Sequence, residues 1–318
     1  MGKQNPHISN LKTLVIGCTP LARKVVNCLK EISDIVGIIG LNEVDGRKKS
    51  NYDSLGDFES TFDMLWTGDI NTTGNWIEER NPDVIIQCGW SQIFKPHILK
   101  IPKKYCLGIH PSPLPEGRGA AVINWKIIES DGKPVKWGNS LFVMEPKTDT
   151  GAVLDFEPFT IEVRDDVRTA YQKVDLTALK MIRRTIPMIA AGEEELKHQD
   201  DSRITRYYKR TPKDGKINLS WSAIKIRDYV RALAFPYPGA YIETRWGKII
   251  LWNVSIDSCK IHGPPGLVHR VAKGRGLLVK VAGFLCVWME RITVNGAERW
   301  ADEWAIESGI KEGEVLID

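Results

Sequence analysis

Residues 104–119 read KYCLGIHPSPLPEGRG, a sequence that predicts a strand followed by a rigid turn. The segment after it, AAVINWKIIES, has the pattern of a helix. Residues 110–119 hold three prolines and two glycines, which restrict the backbone more than a plain connector requires. His110 lies at the end of the strand, and Asp149 follows in KTDTG. A histidine on one loop and an aspartate on another suit acid–base chemistry. The alternative is a surface loop that carries one incidental histidine.

Apolar runs alternate with helix patterns upstream of this stretch. The runs are TLVIGC (13–18), IVGIIGL (35–41) and DVIIQCG (83–89), and helices are expected after the first, at 72–80 and near 94–99. Apolar runs without polar alternation predict an α/β domain with a Rossmann-like, mostly parallel sheet covered on both faces. Such sheets bind ligands beyond the carboxyl ends of their strands, where residues 89–91 and His110 are expected. The turn after the first run lacks the second and third glycines of GxGxxG, which excludes a dinucleotide there.

The rest of the chain changes character near residue 204. Strands at 140–145 and 152–161 are expected to form a hairpin with Asp149 at its tip, followed by a helix over 165–192 and a charged linker, EEELKHQDDSR. Short strands separated by glycine and proline then predict a smaller β-barrel (OB-like) or β-sandwich domain, with a terminal helix. We therefore divide the chain into residues 1–202 and 203–318.

Composition narrows the function classes. The net charge of +4 is mild, and Arg47-Lys48-Lys49 is the one basic run, so nucleic acid is not indicated as a partner. Six cysteines show no CxxC pair and no histidine at ligand spacing, which predicts no metal site and a reducing compartment. No stretch reads as a signal peptide or a membrane span, so a cytoplasmic protein without membrane contact is expected.

At GIHPSPLPEGRGAA the chain resembles the formyltransferases that use N10-formyl-tetrahydrofolate. Their pattern is Asn-x-His-x-Ser-Leu-Leu-Pro-x-x-x-Gly with a later Asp-x-Gly turn, and it is matched here by His110, Ser112, Leu114, Pro115, Gly119, Asp149 and Gly151. The resemblance continues in NPDVIIQCGWSQIFKPHIL (81–99) and, for the C-terminal β-domain, in RYYKRTPKDGKINLSWSA (206–223) and VRALAFPYPGAY (230–241). It implies a catalytic domain over 1–202, N10-formyl-tetrahydrofolate as co-substrate, and an enzyme that is compatible with a homodimer.

The chemistry of formyl transfer suits these residues. An acceptor amine attacks a formamide-like carbon and must lose a proton, for which His110 is a suitable base and Asp149 its oriented partner. The tetrahedral oxyanion needs hydrogen-bond donors, yet the family's asparagine is replaced by Gly108. A backbone N–H, protonated His110 or Asn124 is expected to substitute, unless the activity itself is altered.

The resemblance also implies binding residues. It places the folate on Trp90, Ser91, Gln92 and Ile93, with Asp149 nearby. Contacts to the acceptor substrate are expected from Ser112, Arg118, Tyr208 and Arg210, since cationic side chains suit an anionic substrate. An equally weighted alternative is that Arg118 forms an ion pair with an aspartate and so fixes its own loop. For Tyr208 and Arg210 the alternative is that they belong to a solvent-exposed surface and contact no substrate.

Two transferase functions and one binding function compete. Transfer-RNA formylases carry a long basic insertion after the second strand and a basic residue where this chain has Glu116. The sequence therefore favours the branch that formylates a nucleotide-linked amino sugar, a small-molecule partner whose phosphates need only a local cationic pair. The alternatives are a methionyl-tRNA formyltransferase, or a diverged folate-binding member that transfers weakly or not at all.

Overall fold

The computed structural model describes residues 9–258 and 262–317, so Cys259 and the first eight residues lie outside the described chain. Contacts group the chain into two compact units. The first comprises residues 1–122, 136–160 and 172–208, and the second comprises 123–135, 161–171 and 209–318. Two short segments, residues 123–135 and 161–171, therefore group with the C-terminal unit, although both lie within the range 1–202 that the sequence analysis assigns to the catalytic domain.

A mostly parallel sheet of seven strands forms the centre of the first unit. Its strands and a two-residue strand, β6, are β1 (Lys12–Gly17), β2 (Asp34–Leu41), β3 (Met64–Thr67), β4 (Val84–Cys88), β5 (Tyr105–His110), β6 (Arg118–Gly119), β7 (Val135–Val143) and β8 (Val153–Ile161). The order in the sheet is β3-β2-β1-β4-β5-β7-β8. The pairs from β3 to β5 are parallel, whereas β7 runs antiparallel to β5. The predicted Rossmann-like sheet is confirmed, with an antiparallel edge.

Helices connect these strands and cover the sheet. They are α1 (Pro20–Leu29), α2 (Glu43–Gly46), α3 (Gly74–Arg80), α4 (Pro96–Leu99), α5 (Val122–Ile128) and α6 (Val167–Ala191). Successive residues of β1 enter different cores: Val15 packs with residues of α1 and α6, and Leu14 and Ile16 pack with Ile77 and Ile98. Apolar side chains on both faces explain why the strands read as continuous apolar runs.

Two features of the sheet differ from the expectation. Strand β3 was not predicted, because its four residues, MLWT, are only partly buried and follow a polar stretch. Strand β7 begins at Val135 rather than at residue 140, because Lys136, Gly138 and Asn139 interrupt the apolar pattern. Asn139 is nevertheless fully buried, and its amide donates a 3.0 Å hydrogen bond to Val174 O in α6. A buried amide that bonds to a distant helix cannot be recognised from hydropathy.

The second unit contains the antiparallel sheet expected for the C-terminal domain. After β9 (Arg206–Tyr207), a strand of the first unit, come α7 (Ala223–Ala232), β10 (Ala240–Thr244), β11 (Gly247–Asp257), β12 (Val268–Ala272), β13 (Gly276–Lys280), β14 (Cys286–Val294), β15 (Ala297–Trp300) and α8 (Ala301–Glu307). The sheet order is β10-β11-β14-β13-β12, with β15 also paired to β14. The terminal helix that the sequence predicts is confirmed as α8.

A buried aspartate links α7 to the two short segments that join this unit. Asp228 is fully buried, and it accepts hydrogen bonds from Ser130 Oγ (3.1 Å), Gly132 N (2.9 Å) and Arg231 Nε (2.9 Å). Arg231 in turn donates to Asp165 O at 2.6 Å. Polar groups this deeply buried need such partners, so the network holds residues 123–135 and 161–171 to α7. Among the residues described, no helix has the length and apolar character needed to cross a membrane.

Candidate active site

The carboxyl ends of β4 and β5 bring two predicted segments to one edge of the sheet. The strands are parallel neighbours, and Gln87 of β4 is paired with Gly108 of β5. Strand β4 ends at Cys88 and β5 ends at His110, so the loop after β4 and the imidazole lie at the same edge. This is the edge where open α/β sheets bind their ligands.

His110 is held in a defined orientation. Its imidazole is almost buried, and Nε2 lies 2.8 Å from Gly117 O. A carbonyl oxygen can only accept a hydrogen bond, so Nε2 carries a proton. In the neutral imidazole the lone pair is therefore on Nδ1, the nitrogen that faces Asp149. The backbone of the rigid turn thus selects the tautomer that a general base needs.

Asp149 approaches this nitrogen from the turn between β7 and β8. Its Oδ1 lies 3.8 Å from His110 Nδ1, and its Oδ2 accepts a 2.8 Å hydrogen bond from Gly119 N. The residue has a φ of 58°, in the left-handed region that few residues other than glycine, asparagine and aspartate adopt. The structure brings together the two side chains that the sequence analysis paired across thirty-nine positions.

The turn after His110 is fixed by contacts from β7 and β9. Trp137 Nε1 donates to Pro111 O at 2.8 Å, and Ser140 Oγ donates to Ser112 O at 2.7 Å. Strand β6 pairs with β9 in parallel, and Gly119 has a φ of 108°. A Cβ on Gly119 would lie 2.1 Å from Tyr207 O, so only glycine permits this close backbone pairing.

Phe142 occupies the space beside Gly108. The two residues are paired across β5 and β7, and a Cβ on Gly108 would lie 2.8 Å from Phe142 Cε1 and 3.1 Å from Met144 Cγ. The Phe142 ring also meets the His110 ring edge to face, with centroids 6.4 Å apart. The position of the family's asparagine is therefore filled by an aromatic side chain from the neighbouring strand.

The predicted folate-binding residues form the loop after β4. Trp90 is 6% exposed and packs in the core, and its Nε1 donates to Gln92 Oε1 at 3.1 Å. Gln92 also accepts from Ile70 N and donates to Gly68 O, so its side chain anchors the loop. Ser91 is exposed, and Ile93 is 67% exposed. The loop therefore presents Ser91 and Ile93, while Trp90 and Gln92 support it.

The predicted acceptor contacts in the first unit have different environments. Ser112 is fully buried, and its Oγ has no hydrogen-bond partner within the described residues. Arg118 is also fully buried, and it donates to Gln199 Oε1 and pairs with Asp201 at 2.8 Å. These are the contacts of the alternative in which Arg118 pins its loop to an aspartate. Tyr208 is 78% exposed.

Asn124 and Arg210 belong to the second unit. Asn124 is 1% exposed, and its Nδ2 donates a 2.8 Å hydrogen bond to Ala232 O at the end of α7. The Arg210 guanidinium lies 4.4 Å from the Trp125 ring centroid and 5.1 Å from that of Tyr229. Stacking of this kind stabilises a cation within the protein.

Two residues of the site were missed by the sequence analysis. Phe142 was seen only as a strand residue, and Gln199 lay in a stretch that was predicted to be a charged linker. Gln199 Nε2 donates to Asp149 O (3.0 Å) and to Gly151 O (2.7 Å). Neither role leaves a local signal, because each depends on a partner many positions away in the chain.

The thiols near this edge are unsuited to nucleophilic catalysis. Burial raises the pKa of the Cys18 thiol, an effect that Lys49 partly opposes, and burial raises the pKa of Cys88 strongly and that of Cys106 to about 12. A thiol reacts as its thiolate, so these cysteines are inert near neutral pH. Cys18, Cys28, Cys88 and Cys106 are free and buried. In residues 9–258 and 262–317, no three His, Cys, Asp or Glu side chains are grouped to hold a metal ion.

Comparison with known proteins identifies the family. The profile described as Formyl transferase matches residues 71–186, and the profile described as Formyl transferase, C-terminal domain, matches residues 209–305. The chain belongs to the formyl transferase family. Both segments occur in the family's order, and the His110–Asp149 pair lies within the first. The protein is accordingly an N-formyltransferase, and formyl transfer is its chemistry.

Two relatives match different shares of the chain. The methionyl-tRNA formyltransferase of Malacoplasma penetrans is 26% identical over 305 residues, 94% of each chain. The bifunctional polymyxin resistance protein ArnA of Wigglesworthia glossinidia brevipalpis is 33% identical over 192 residues, which cover 59% of this chain but only 29% of that protein.

Solved structures share the fold at low identity. An N-formyltransferase from Helicobacter canadensis, solved with folinic acid and dTDP-3-aminofucose, has a TM-score of 0.63 at 14% identity, covering 88% of this chain and 98% of that one. HypX from Aquifex aeolicus, solved with tetrahydrofolic acid, has a TM-score of 0.66 at 16% identity. That match covers 96% of this chain and 48% of HypX.

Proposed function

We propose that this formyltransferase takes the formyl group of N10-formyl-tetrahydrofolate and transfers it to the amino group of a nucleotide-linked amino sugar. The observation that carries the transfer chemistry is the His110–Asp149 pair, with Nδ1 and Oδ1 3.8 Å apart beyond the carboxyl edge of the sheet. The loop after β4 lies at the same edge and exposes the apolar side chain of Ile93. An exposed apolar side chain at this edge can be buried by packing against the flat ring of a pterin.

The residues present can perform each proton transfer. The acceptor nitrogen attacks the formyl carbon, a C–N bond forms, and the proton of the amine passes to Nδ1 of His110. Asp149 stabilises the imidazolium that results. The tetrahedral intermediate then breaks its bond to N10, and the same imidazolium returns the proton to that nitrogen. The products are the formylated amine and tetrahydrofolate, and no further reactant is required.

The buried hydroxyl of Ser112 supports its assignment as a substrate contact. A buried polar atom that has no partner in the described chain is normally satisfied by water or a ligand. Phe142 leaves no room for a larger side chain at position 108, so in the present packing no side chain there can donate to the oxyanion. A donor to the oxyanion is therefore expected from a position other than 108.

The distribution of charge favours a small acceptor over a transfer RNA. In and beside α2, Arg47 pairs with Glu43 at 3.3 Å and Lys48 pairs with Asp45 at 2.9 Å. The ammonium of Lys49 donates to Gly89 O at 2.8 Å. Each cation of the predicted basic run thus has a local partner, although Arg47 and Lys48 remain exposed. A run of three is short for a polyanion, which is bound by many Lys and Arg clustered on one face.

A methionyl-tRNA formyltransferase is the second candidate. It is favoured by the match to the Malacoplasma penetrans enzyme, which covers 94% of both chains. The two functions differ in how many phosphates the enzyme must neutralise. A nucleotide sugar offers two, and a transfer RNA offers many.

One experiment separates these functions. The purified protein is incubated with N10-formyl-tetrahydrofolate and either a panel of nucleotide amino-sugars or charged initiator tRNA, and formylated product is measured at 50 and 200 mM salt. We expect transfer to a nucleotide amino-sugar with a mild salt dependence. Transfer to the tRNA alone, with a loss of affinity of about 10³-fold or more over this range, would establish the second function. Folate binding without any transfer would indicate a diverged binding protein.

A further inference from the structure

The aspartate of the site stands in the left-handed region of backbone conformation, which residues other than glycine adopt only rarely. Asp149 has a φ of 58°, and the residue is neither glycine nor part of a regular element. Left-handed positions of this kind persist only where surrounding contacts determine them, and they concentrate at functional sites. The direction of the Asp149 carboxylate therefore depends on what holds its main chain.

The main chain of this turn is held by the amide of Gln199. Its Nε2 donates two hydrogen bonds, one to Asp149 O at 3.0 Å and one to Gly151 O at 2.7 Å. The two carbonyls flank the turn, so one side chain fixes it from both sides. Both N–H donors of the amide are used in this way.

The orientation of that amide is set by Arg118. The guanidinium donates from Nε (3.0 Å) and Nη2 (2.6 Å) to Gln199 Oε1, and Nη2 also pairs with Asp201 Oδ1 at 2.8 Å. Arg118 has no acceptor, so the oxygen of Gln199 must face it and the nitrogen must face the turn. Arg118 is fully buried, Gln199 is partly buried, and the Asp201 side chain is 69% exposed, so the network runs from the interior to the surface.

A second contact completes the position of the carboxylate. Gly119, which follows Arg118 in β6, donates its N–H to Asp149 Oδ2 at 2.8 Å and leaves Oδ1 facing His110 Nδ1. The strand that carries Arg118 therefore contacts the turn twice, through Gln199 and through Gly119. Gln199 lies outside both segments that match the family profiles, which end at residue 186 and begin again at residue 209.

We propose that Gln199 is a positioning residue of formyl transfer, which holds the Asp149 turn so that the carboxylate faces His110. This inference rests on the proposed function of the His110–Asp149 pair. Gln199 touches neither reacting group and acts only through Asp149. Small misplacement of a catalytic group lowers turnover far more than it lowers binding.

The first test measures the position of the turn without any substrate. Backbone hydrogen exchange is followed by NMR in Gln199→Ala and the wild-type protein. We expect exchange of the Gly119 N–H to increase about 10-fold or more, because its acceptor Asp149 is no longer held. The N–H groups of Arg118 and Ala120 donate to Thr205 O and Tyr207 O and serve as internal controls that keep their protection. Unchanged protection of Gly119 would overturn the proposal, whatever the activity of the protein.

The second test uses turnover of whichever acceptor the wild-type enzyme formylates. Gln199→Ala is expected to lower kcat about 10- to 100-fold with KM for both substrates within about twofold, in protein shown to be folded by urea titration. Gln199→Glu keeps the acceptor for Arg118 but turns an oxygen toward two carbonyls. Its kcat relative to wild type should rise as the pH is lowered from 8 to 5.5, because a protonated carboxyl regains one donor.

Matched controls separate positioning from general effects. Gln172→Glu adds the same charge at an exposed site on α6 and should leave kcat and its pH profile unchanged. A kcat of folded Gln199→Ala within twofold of wild type would contradict the proposal. If the wild-type enzyme formylates none of the acceptors, the proposed function fails, and the exchange of Gly119 still decides whether Gln199 holds the turn.

Discussion

Replacing Gly108 by alanine tests whether the site has repacked around glycine. The new Cβ would lie 2.8 Å from Phe142 Cε1 and 2.9 Å from Cζ, in a ring that is 5% exposed. Forcing an extra methyl group into a packed core costs about 1–3 kcal/mol, and replacing glycine by alanine returns about 0.4–1 kcal/mol through the unfolded chain. We therefore expect Gly108→Ala to lower the free energy of unfolding by about 0.5–2 kcal/mol.

A double-mutant cycle assigns this cost to Phe142. Phe142→Leu removes the two ring atoms that the Cβ would meet, so Gly108→Ala should be neutral or stabilising in that background. The coupling free energy, measured by urea unfolding of the four proteins, is expected to be about 1–3 kcal/mol. Because Phe142 also meets the His110 ring, Gly108→Ala should reduce turnover as well.

A glycine with free space supplies the control. At Gly74, the first residue of α3, a Cβ would have its nearest contacts at 3.7 Å, so Gly74→Ala should leave stability unchanged or raise it. A coupling free energy between Gly108→Ala and Phe142→Leu below about 0.5 kcal/mol would lie within ordinary additivity error. That result would refute the conclusion that Phe142 fills the position of the family's asparagine.

Three further predictions concern the catalytic pair, the second unit and the dependence of stability on pH. His110→Ala and Asp149→Asn should each lower turnover about 10²-fold or more in folded protein, and near-normal turnover of either variant would remove that residue from the mechanism. Asn124→Ala should lower the free energy of unfolding by about 1–3 kcal/mol, because Ala232 O loses a buried donor. If the folded variant also shows a lower kcat at unchanged KM, Asn124 has in addition the transition-state role predicted from the sequence. Burial raises the pKa of the Asp175 carboxyl, against the opposing hydrogen bond from Lys24. Its contribution to stability is therefore present below the unfolded pKa of about 3.9 and is lost as the pH rises through the raised folded value. The stability of Asp175→Asn relative to wild type should thus increase from pH 4 to pH 7 in urea titrations, and a difference that is constant with pH would contradict this reasoning.

Local patterns were sufficient to predict most of the first unit and to select His110 and Asp149 as a pair. Apolar runs predicted β1, β2, β4 and β5 because a strand buried on both faces has apolar residues at almost every position. The motif around His110 and the turn at Asp149 resembled the family closely enough to predict formyl transfer. Each of these features is written in a short stretch of sequence, since it depends on residues that are close together in the chain.

Tertiary structure alone decided what surrounds that pair. Gly108 read as a missing donor, and only the pairing of β5 with β7 showed that Phe142 fills its place. Gln199 read as part of a linker, although it bonds to Asp149 fifty positions earlier in the chain. Residues 123–135 belong to the C-terminal unit because buried Asp228 bonds to them from α7. In each case a side chain acquires its role from a partner that is distant in sequence, and a single sequence contains no local pattern that records such a contact.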